Sequence, residues 1–120
     1  DVGLLAFSPL ACGLLTGKYQ ADTPPPQGSR KSITSDLGGR ITPRLWPAID
    51  AYAGIAAEFG IDMSQRDRAW AMRRPFMGSV IFGATTLDQL ATAIGSARLE
   101  LSDDLMARID AAHKDHPMPY

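Results

Sequence analysis

Short apolar runs alternate along the chain with segments whose apolar residues recur at helical spacing. The first run, Leu4–Phe7, is stopped by Ser8 and Pro9 and predicts a short buried strand, because proline cannot continue a strand ladder. A second run, Ser79–Phe82, is closed by Gly83 and predicts a second short strand. The sequence therefore predicts two brief strands that lie far apart along the chain.

Two helices are predicted ahead of the second strand. Apolar residues recur at helical spacing between Ile49 and Phe59, and Gly60 supplies the left-handed stop that commonly ends a helix. Ser64 is placed to cap the next helix, which is predicted to run to Arg74 and to end before a proline.

Two more helices are predicted after the second strand. The pair Thr85-Thr86 opens the first of them, whose apolar face consists of Leu87, Leu90, Ala91 and Ile94. Ser102 caps the last helix, where two aspartates suit the positive helix end, and its apolar stripe consists of Leu105, Ile109 and Ala112. This order of strands and helices predicts a parallel sheet with helical cover, hence an α/β fold.

The segment between the first strand and the first helix is dense in glycine and proline. It is predicted as a long loop over residues 11–47. Loops of this length are uncommon in compact domains and are usually functional or mobile.

Composition excludes several classes of function. The 120 residues are 45% hydrophobic and 21% charged, which allows a buried core, and the net charge of -1 gives no general attraction for nucleic acid or anionic membranes. No apolar run approaches the length of a membrane span, and the first residues show no signal-peptide pattern. The single cysteine, Cys12, cannot form an internal disulfide, so a cytoplasmic location is expected.

Two strands are too few for a complete fold of this class. Parallel sheets need several neighbouring strands and cover on both faces. The first strand also begins within four residues of the start of the sequence, which suggests that other residues precede it. We therefore expect the end of a larger α/β protein, incomplete as an isolated chain, whose unpaired strand edges favour association.

Two segments carry a resemblance to a known family. The first reads Phe7-Ser8-Pro9-Leu10-Ala11-Cys12-Gly13-Leu14-Leu15-Thr16-Gly17-Lys18-Tyr19, and the second reads Ser79-Val80-Ile81-Phe82-Gly83-Ala84-Thr85-Thr86-Leu87-Asp88-Gln89-Leu90. In this order and spacing they resemble the seventh and eighth βα units of aldo-keto reductases, including bacterial members and the potassium-channel β subunits. The resemblance implies that residues 1–120 are the C-terminal portion of a (β/α)₈ TIM barrel, its last two βα units plus the C-terminal helix.

The resemblance also implies a binding site for NADP(H). The segment after the first strand would hold the cofactor through Ser8, Pro9, Leu10, Ala11 and Cys12, and Lys18 and Arg30 would supply positive charge over its phosphates. Gly83, Ala84 and Thr85 would face the adenosine 2′-phosphate, and Gln89 would contact adenine. Two general rules support this placement. Ligand sites of barrels lie at the carboxyl ends of the strands, and helix N-termini favour anions.

Each of these residues also has a purely structural interpretation. Ser8 and Pro9 could simply end a strand, Thr86 and Gln89 form a legitimate capping box, and the two cations could be solvated surface charges. Cys12 could be a small core filler without an activated thiol. His113 and His116 have helical metal-ligand spacing, but the proline that follows and the missing third ligand argue against a metal.

The sequence departs from the family pattern in two places within this region. Thr92 and Ala93 occupy positions where the family usually has a Glu-Asn pair, so at least one adenine contact is expected to be absent. The helix before the second strand reads Gln65-Arg66-Asp67-Arg68-Ala69-Trp70, with three charges where mainly apolar residues are expected. Either this helix is displaced and solvated, or the sequence diverged after its barrel context was lost.

The catalytic group of the family, a tyrosine acid assisted by Lys, Asp and His, comes from the first half of the barrel. Those motifs are absent from this sequence, and no catalytic residue is assigned.

The resemblance implies an NADP(H)-dependent oxidoreductase that reduces aldehydes or ketones, to which this chain supplies cofactor-binding segments. Two alternatives are a non-catalytic nucleotide-binding or regulatory module and an inactive truncated remnant. The expected partners are a small carbonyl substrate in the complete protein, and either an N-terminal fragment or further copies of the chain.

Overall fold

Two strands and five α-helices make up residues 2–120, the part of the chain that the computed structural model describes. The strands are β1 (Leu4–Phe7) and β2 (Met77–Ile81). The α-helices are α1 (Arg30–Ile33), α2 (Leu45–Glu58), α3 (Met63–Met72), α4 (Leu87–Gly95) and α5 (Asp103–Asp115). Two 3₁₀ segments, Ala11–Thr16 and Ser96–Arg98, follow β1 and α4.

The two strands are hydrogen-bonded neighbours in one parallel sheet, as the sequence predicts. Phe7 pairs with Ile81, so both strands reach their carboxyl ends at the same edge. The register shifts by one residue at the other end, between Leu4 and Leu5. Gly78 lies at that irregularity, where a Cβ atom would come within 3.3 Å of the Leu4 carbonyl oxygen, so glycine allows this close approach.

The predicted bounds of the second strand were wrong at both ends. The strand begins two residues earlier than the apolar run, at Met77, and ends before Phe82. The backbone of Leu4 already donates to the Phe76 carbonyl at 2.8 Å, so pairing with β1 sets the start of the strand. Phe82 therefore belongs to the loop that leaves the sheet.

Helix α3 begins and ends differently from the prediction. Its cap is Asp62, whose carboxylate accepts from the backbone N–H of Gln65 at 2.9 Å, whereas Ser64 lies inside the helix and donates to Asp62 at 2.6 Å. The helix stops at Met72 rather than at Arg74. An aspartate is as good a cap as a serine, and residue type alone does not separate Asp62 from Ser64.

The region predicted as a loop over residues 11–47 contains regular structure. It includes the 3₁₀ segment after β1 and the short helix α1, and α2 begins inside it at Leu45. Pro47 lies in the first turn of α2, where a missing backbone donor is tolerated because that turn has free N–H groups anyway. Reading each proline as a break made the loop prediction too long.

The caps of the last two helices are confirmed. Thr86 accepts from the Gln89 N–H at the start of α4, and Ser102 accepts from the Leu105 N–H at 3.2 Å at the start of α5. Two aspartates follow Ser102 in the first turn of α5, as the helix dipole favours.

Removing the Ser102 cap should destabilise the chain modestly. Ser102→Ala leaves the Leu105 N–H without its partner, and we expect a loss of about 1 kcal/mol in the free energy of unfolding. Urea denaturation measures this loss. Ser102→Asn keeps a capping oxygen and should remain close to the wild type, and equal losses in both variants would contradict the capping role.

The buried apolar residues form two clusters. One joins the segment after β1 to α2 and contains Leu14, Tyr19, Leu37, Leu45 and Ile49, among others. The other joins α2, α3 and α5 and contains Ile55, Ala69, Leu101, Leu105, Ile109 and Ala112. The long segment between β1 and α2 is thus held against α2 by its own buried side chains.

The charged segment of α3 is buried, which contradicts one of the two alternatives left open by the sequence, a displaced and solvated helix. Arg66 has no exposed surface and Arg68 is 7% exposed. Arg66 donates through Nε to Asp67 Oδ1 at 2.7 Å, and its Nη1 donates to the Tyr52 carbonyl of α2. Arg68 donates to the Ser64 hydroxyl at 3.3 Å. These contacts compensate part of the cost of burying charge.

Burial shifts the pKa values of the ionisable side chains in this cluster. Desolvation raises the pKa of Asp67 from 3.8 to about 6, and Asp62 adds to the rise, although Arg66 and Arg68 oppose it. Desolvation also raises the pKa of Tyr52, with Asp67 contributing, and lowers the pKa of Arg68.

The stability of the chain should therefore fall as Asp67 ionises. The folded chain holds this proton more tightly than the unfolded chain, so stability decreases as pH rises from about 4 to about 6 and stays low above that. The shift of two units corresponds to about 3 kcal/mol. Unfolding free energies measured between pH 3.5 and 7.5 should show this fall in the difference between the wild type and Asp67→Asn. A constant difference between the two proteins would contradict it.

Large apolar side chains remain exposed on the sheet and on α4. Leu5 and Phe7 of β1 are 62% and 79% exposed, and Leu87 and Ile94 of α4 are 82% and 57% exposed. In the described residues, no helix is long and apolar enough to cross a membrane. Exposed apolar surface of this extent on a two-stranded sheet is typical of an interface, or of a core that further chain segments would complete.

Candidate functional site

The two segments singled out in the sequence leave the sheet side by side. One starts at Ser8 directly after β1 and the other at Phe82 directly after β2, and the last residues of the two strands are register partners. Ligands of α/β folds bind outside the carboxyl ends of parallel strands. We refer to residues 8–13 as the first loop and to residues 82–86 as the second loop.

The first loop has an unusual backbone. Ser8, Ala11 and Cys12 adopt left-handed φ angles of 57°, 46° and 60°, and Gly13 follows with φ at 94°. Two tight turns stabilise this backbone conformation. The Ala11 N–H donates to the Ser8 carbonyl at 3.0 Å, and the Gly13 N–H donates to the Leu10 carbonyl at 2.8 Å. Left-handed non-glycine residues are costly and cluster at ligand-binding segments.

Both predicted phosphate-binding cations lie against this loop. Arg30 Nη1 lies 3.6 Å from Cys12 Sγ, to which it donates a weak hydrogen bond. The Lys18 side chain packs against Gly13, where a Cβ atom would come within 3.1 Å of Lys18 Cε. Neither cation forms an ion pair with a carboxylate of residues 2–120, so their charge is uncompensated. The first loop is therefore a positively charged surface suited to an anion.

Lys31 is a third cation in this region that the sequence reasoning missed. Its ammonium lies 4.9 Å from the Trp46 ring centroid and 6.0 Å from that of Tyr19, and its backbone N–H donates to the Tyr19 hydroxyl at 3.1 Å. Burial raises the pKa of Tyr19, but the Lys31 N–H and the charge of Lys18 outweigh burial and leave this pKa below its ordinary value. The basic pair Arg30-Lys31 was the signal available in the sequence.

The second loop borders an open depression of about 430 Å³ at the start of α4. Its lining consists of Phe82, Ala84, Thr85, Thr86, Leu87 and Leu90. Gly83 is not part of this lining, and no atoms lie within 4 Å of the position that its Cβ would take. Of the residues predicted for the 2′-phosphate, Ala84 and Thr85 thus line a concave surface beside a helix N-terminus.

Gln89 serves as a helix cap in this structure. Its Oε1 accepts from the Thr85 N–H at 2.9 Å and from the Thr85 hydroxyl at 3.1 Å, which fixes the second loop to the first turn of α4. Gln89 therefore reaches back over the start of α4 as in a capping box, although to Thr85 rather than to the Thr86 cap itself, and a contact with adenine stays a prediction. Thr92 uses its hydroxyl within α4 and Ala93 is buried, so neither offers a free polar group to the second loop.

The three tyrosines do not line the depression. Tyr19 is 2% exposed, Tyr52 belongs to α2 beside the buried charges, and Tyr120 lies in the C-terminal tail. Within residues 2–120 no three His, Cys, Asp or Glu side chains lie close enough together to hold a metal ion. This edge of the sheet therefore combines positive charge beside the first loop with a depression beside the start of α4.

Comparison with known proteins places these features in a family. A sequence model described as the aldo/keto reductase family matches residues 1–114. The Protein tas of Escherichia coli is 42% identical over 118 residues, which cover 98% of this chain and 34% of that protein. A putative voltage-gated potassium channel subunit beta of Schizosaccharomyces pombe is 31% identical over 115 residues, 90% of this chain and 33% of that protein.

A solved structure shows the same fold. The glycerol dehydrogenase AKR11B4 from Gluconobacter oxydans superposes with a TM-score of 0.70 at 22% identity, over 98% of this chain and 36% of that chain. The chain spans about a third of the length of the curated relatives it matches. The match of the family model to nearly the whole sequence shows that this chain belongs to the aldo/keto reductase family.

Proposed function

We propose that this chain binds the phosphates and adenine of NADP(H) for an oxidoreductase that reduces aldehydes or ketones. In this proposal the chain is the C-terminal portion of a (β/α)₈ barrel, and the two loops at the carboxyl ends of β1 and β2 form one cofactor site. A small carbonyl compound is the substrate of the complete protein. The cytoplasm is the proposed location, where the thiol of Cys12 stays reduced.

The observation that carries the proposal is the convergence of uncompensated cations on the first loop. Lys18 packs against Gly13 and Arg30 reaches Cys12, although the two cations come from different parts of the intervening segment. A dinucleotide pyrophosphate would offset this charge.

The residues present fit NADP(H). The first loop offers positive charge, and the second loop offers a concave surface at a helix N-terminus. Lys18 and Arg30 would hold the phosphates, and Ala84 and Thr85 would face the 2′-phosphate. The bound cofactor supplies a hydride for the carbonyl carbon, and the protein orients it.

Turnover by this chain alone is not expected. None of the three tyrosines lines the depression, and the proton donor of the family is expected from earlier barrel segments. The fluorescence of NADPH should rise and saturate on titration with the purified chain, whereas NADPH oxidation with an aldehyde should stay at the background rate. Absence of binding would contradict the proposal and favour an inactive remnant.

A second candidate function is a nucleotide-binding module without catalysis. The similarity to a putative channel β subunit and the positions of the tyrosines favour it. Such a module would retain nucleotide and report its redox state to a protein partner. Tight NADPH binding by the complete protein without turnover of any carbonyl would distinguish it from the reductase.

We also propose that the chain associates through its exposed sheet, with an N-terminal fragment or with further copies of itself. Leu5, Phe7 and Ile81 leave apolar surface beside unpaired strand edges. Light scattering at high concentration should show a mass above 12.9 kDa, and Phe7→Lys should lower it. A monomer at every concentration would contradict self-association.

A further inference from the structure

The second loop carries no positive charge of its own. From Phe82 to Ala97 the sequence contains no lysine or arginine, and its one ionisable residue is Asp88 in the first turn of α4. Two backbone donors near this helix start are already used, since Thr85 N–H donates to Gln89 and Gln89 N–H donates to Thr86. The helix dipole and the remaining backbone N–H groups are then what the second loop itself offers a phosphate, and a cation from another element would strengthen binding.

Arg68 of α3 is a buried cation that lies next to the second loop. It is 7% exposed, and its guanidinium carbon lies 5.6 Å from the ring centroid of Phe82, which itself lines the depression. Arg68 Nη1 is anchored to Ser64, whereas Arg68 Nε is buried without a hydrogen-bond partner among residues 2–120. The guanidinium is thus held against the residue that opens the second loop.

The carboxylates of α3 leave part of this charge uncompensated. Asp67 accepts from Arg66, and Asp62 caps the helix by accepting from Gln65 and Ser64. Arg68 forms no ion pair with a carboxylate of the described chain. In a water-poor interior a charge acts over longer distances than at the surface.

We propose that Arg68 is a positioning residue that attracts a phosphate group to the second loop, acting from beneath Phe82. This inference rests on the proposed function, because it names the source of positive charge for the 2′-phosphate end of that same site. It also gives a role to a charge at a position where the family pattern is apolar. The probes are 2′,5′-ADP and 5′-AMP, which differ by the 2′-phosphate.

The test compares the affinities of the two probes in the wild type and in Arg68→Met. The ratio of the Kd for 5′-AMP to the Kd for 2′,5′-ADP reports the contribution of the 2′-phosphate. We expect Arg68→Met to lower this ratio about fivefold to tenfold, the effect of one partly screened charge several ångströms away. Arg68→Lys should restore most of the ratio, and Arg98→Met, at an exposed position, should leave it unchanged.

The structural and electrostatic roles of Arg68 predict different results. Arg68 forms no ion pair within residues 2–120, so Arg68→Met leaves no carboxylate without a partner and should remain folded by circular dichroism while the ratio falls. Arg68→Gln, which retains a donor for Ser64, should show the same fall. If the wild type discriminates the probes and the Met and Gln variants do so equally well, the role of Arg68 is overturned while the proposed function stands. If the wild type binds neither probe, both are overturned.

Discussion

Replacing Arg66 by methionine should lower the free energy of unfolding by about 3–5 kcal/mol, the usual cost of removing one member of a buried pair. Arg66 is fully buried and joins two helices, because it donates to Asp67 within α3 and to the Tyr52 carbonyl of α2. Without it, the carboxylate of Asp67 and the Tyr52 carbonyl remain buried with one donor fewer. Urea denaturation at pH 7 measures the loss.

The matched control is Arg98→Met, which removes an exposed arginine and should change stability by less than about 0.5 kcal/mol. A second control removes the whole cluster. Because a buried ion pair often contributes less than apolar packing, Arg66→Met combined with Asp67→Ala and Arg68→Leu should recover the wild-type stability or exceed it by about 1–4 kcal/mol. If Arg66→Met alone left stability unchanged, the cluster would not be buried as described.

Removing both cations of the first loop should weaken NADPH binding by roughly 100-fold. A hydrogen bond to a charged group contributes about 1.5–3 kcal/mol, so Lys18→Met and Arg30→Met should each cost about tenfold. Both residues contact the first loop and lack a described carboxylate partner, so their removal leaves the fold without a broken ion pair. Fluorescence titration with NADPH measures the change.

Lys114→Met is the matched control for these variants, since Lys114 lies in the last turn of α5. We expect wild-type affinity from it. The wild-type chain should also lose affinity steeply as salt is raised, and the double variant should lose much less, because counterions compete with the phosphates for these cations. A double variant that binds NADPH within threefold of the wild type would contradict the assignment of Lys18 and Arg30.

Local signals in the sequence were sufficient for much of the fold. Ser102 and Thr86 cap α5 and α4 as predicted, because a capping side chain needs only its own first turn. The parallel pairing of the strands followed from the alternation of strands and helices. The bounds of β2 did not, since its start depends on the backbone of Leu4, which is distant in sequence.

The charged segment of α3 shows why burial could not be predicted from residue type. Three consecutive charges normally indicate a solvated surface, and only the fold shows that the Tyr52 carbonyl and the Phe82 ring lie within reach of Arg66 and Arg68. In the candidate site, Lys18 and Arg30 were predicted through the resemblance. Lys31 was missed because its contacts with Tyr19 and Trp46 depend on how the segment between β1 and α2 packs.

In the proposed function, the first and second loops form a single nucleotide site. Backbone amide NMR spectra recorded during titration of the ¹⁵N-labelled chain with NADPH distinguish one shared site from two separate ones. We expect the amides of Cys12, Gly13, Ala84 and Thr85 to shift together and to saturate with one Kd. Shifts confined to one loop, or centred on the separate depression lined by Pro43, Arg44, Pro47, Asp115, His116, Pro117 and Pro119, would contradict the claim.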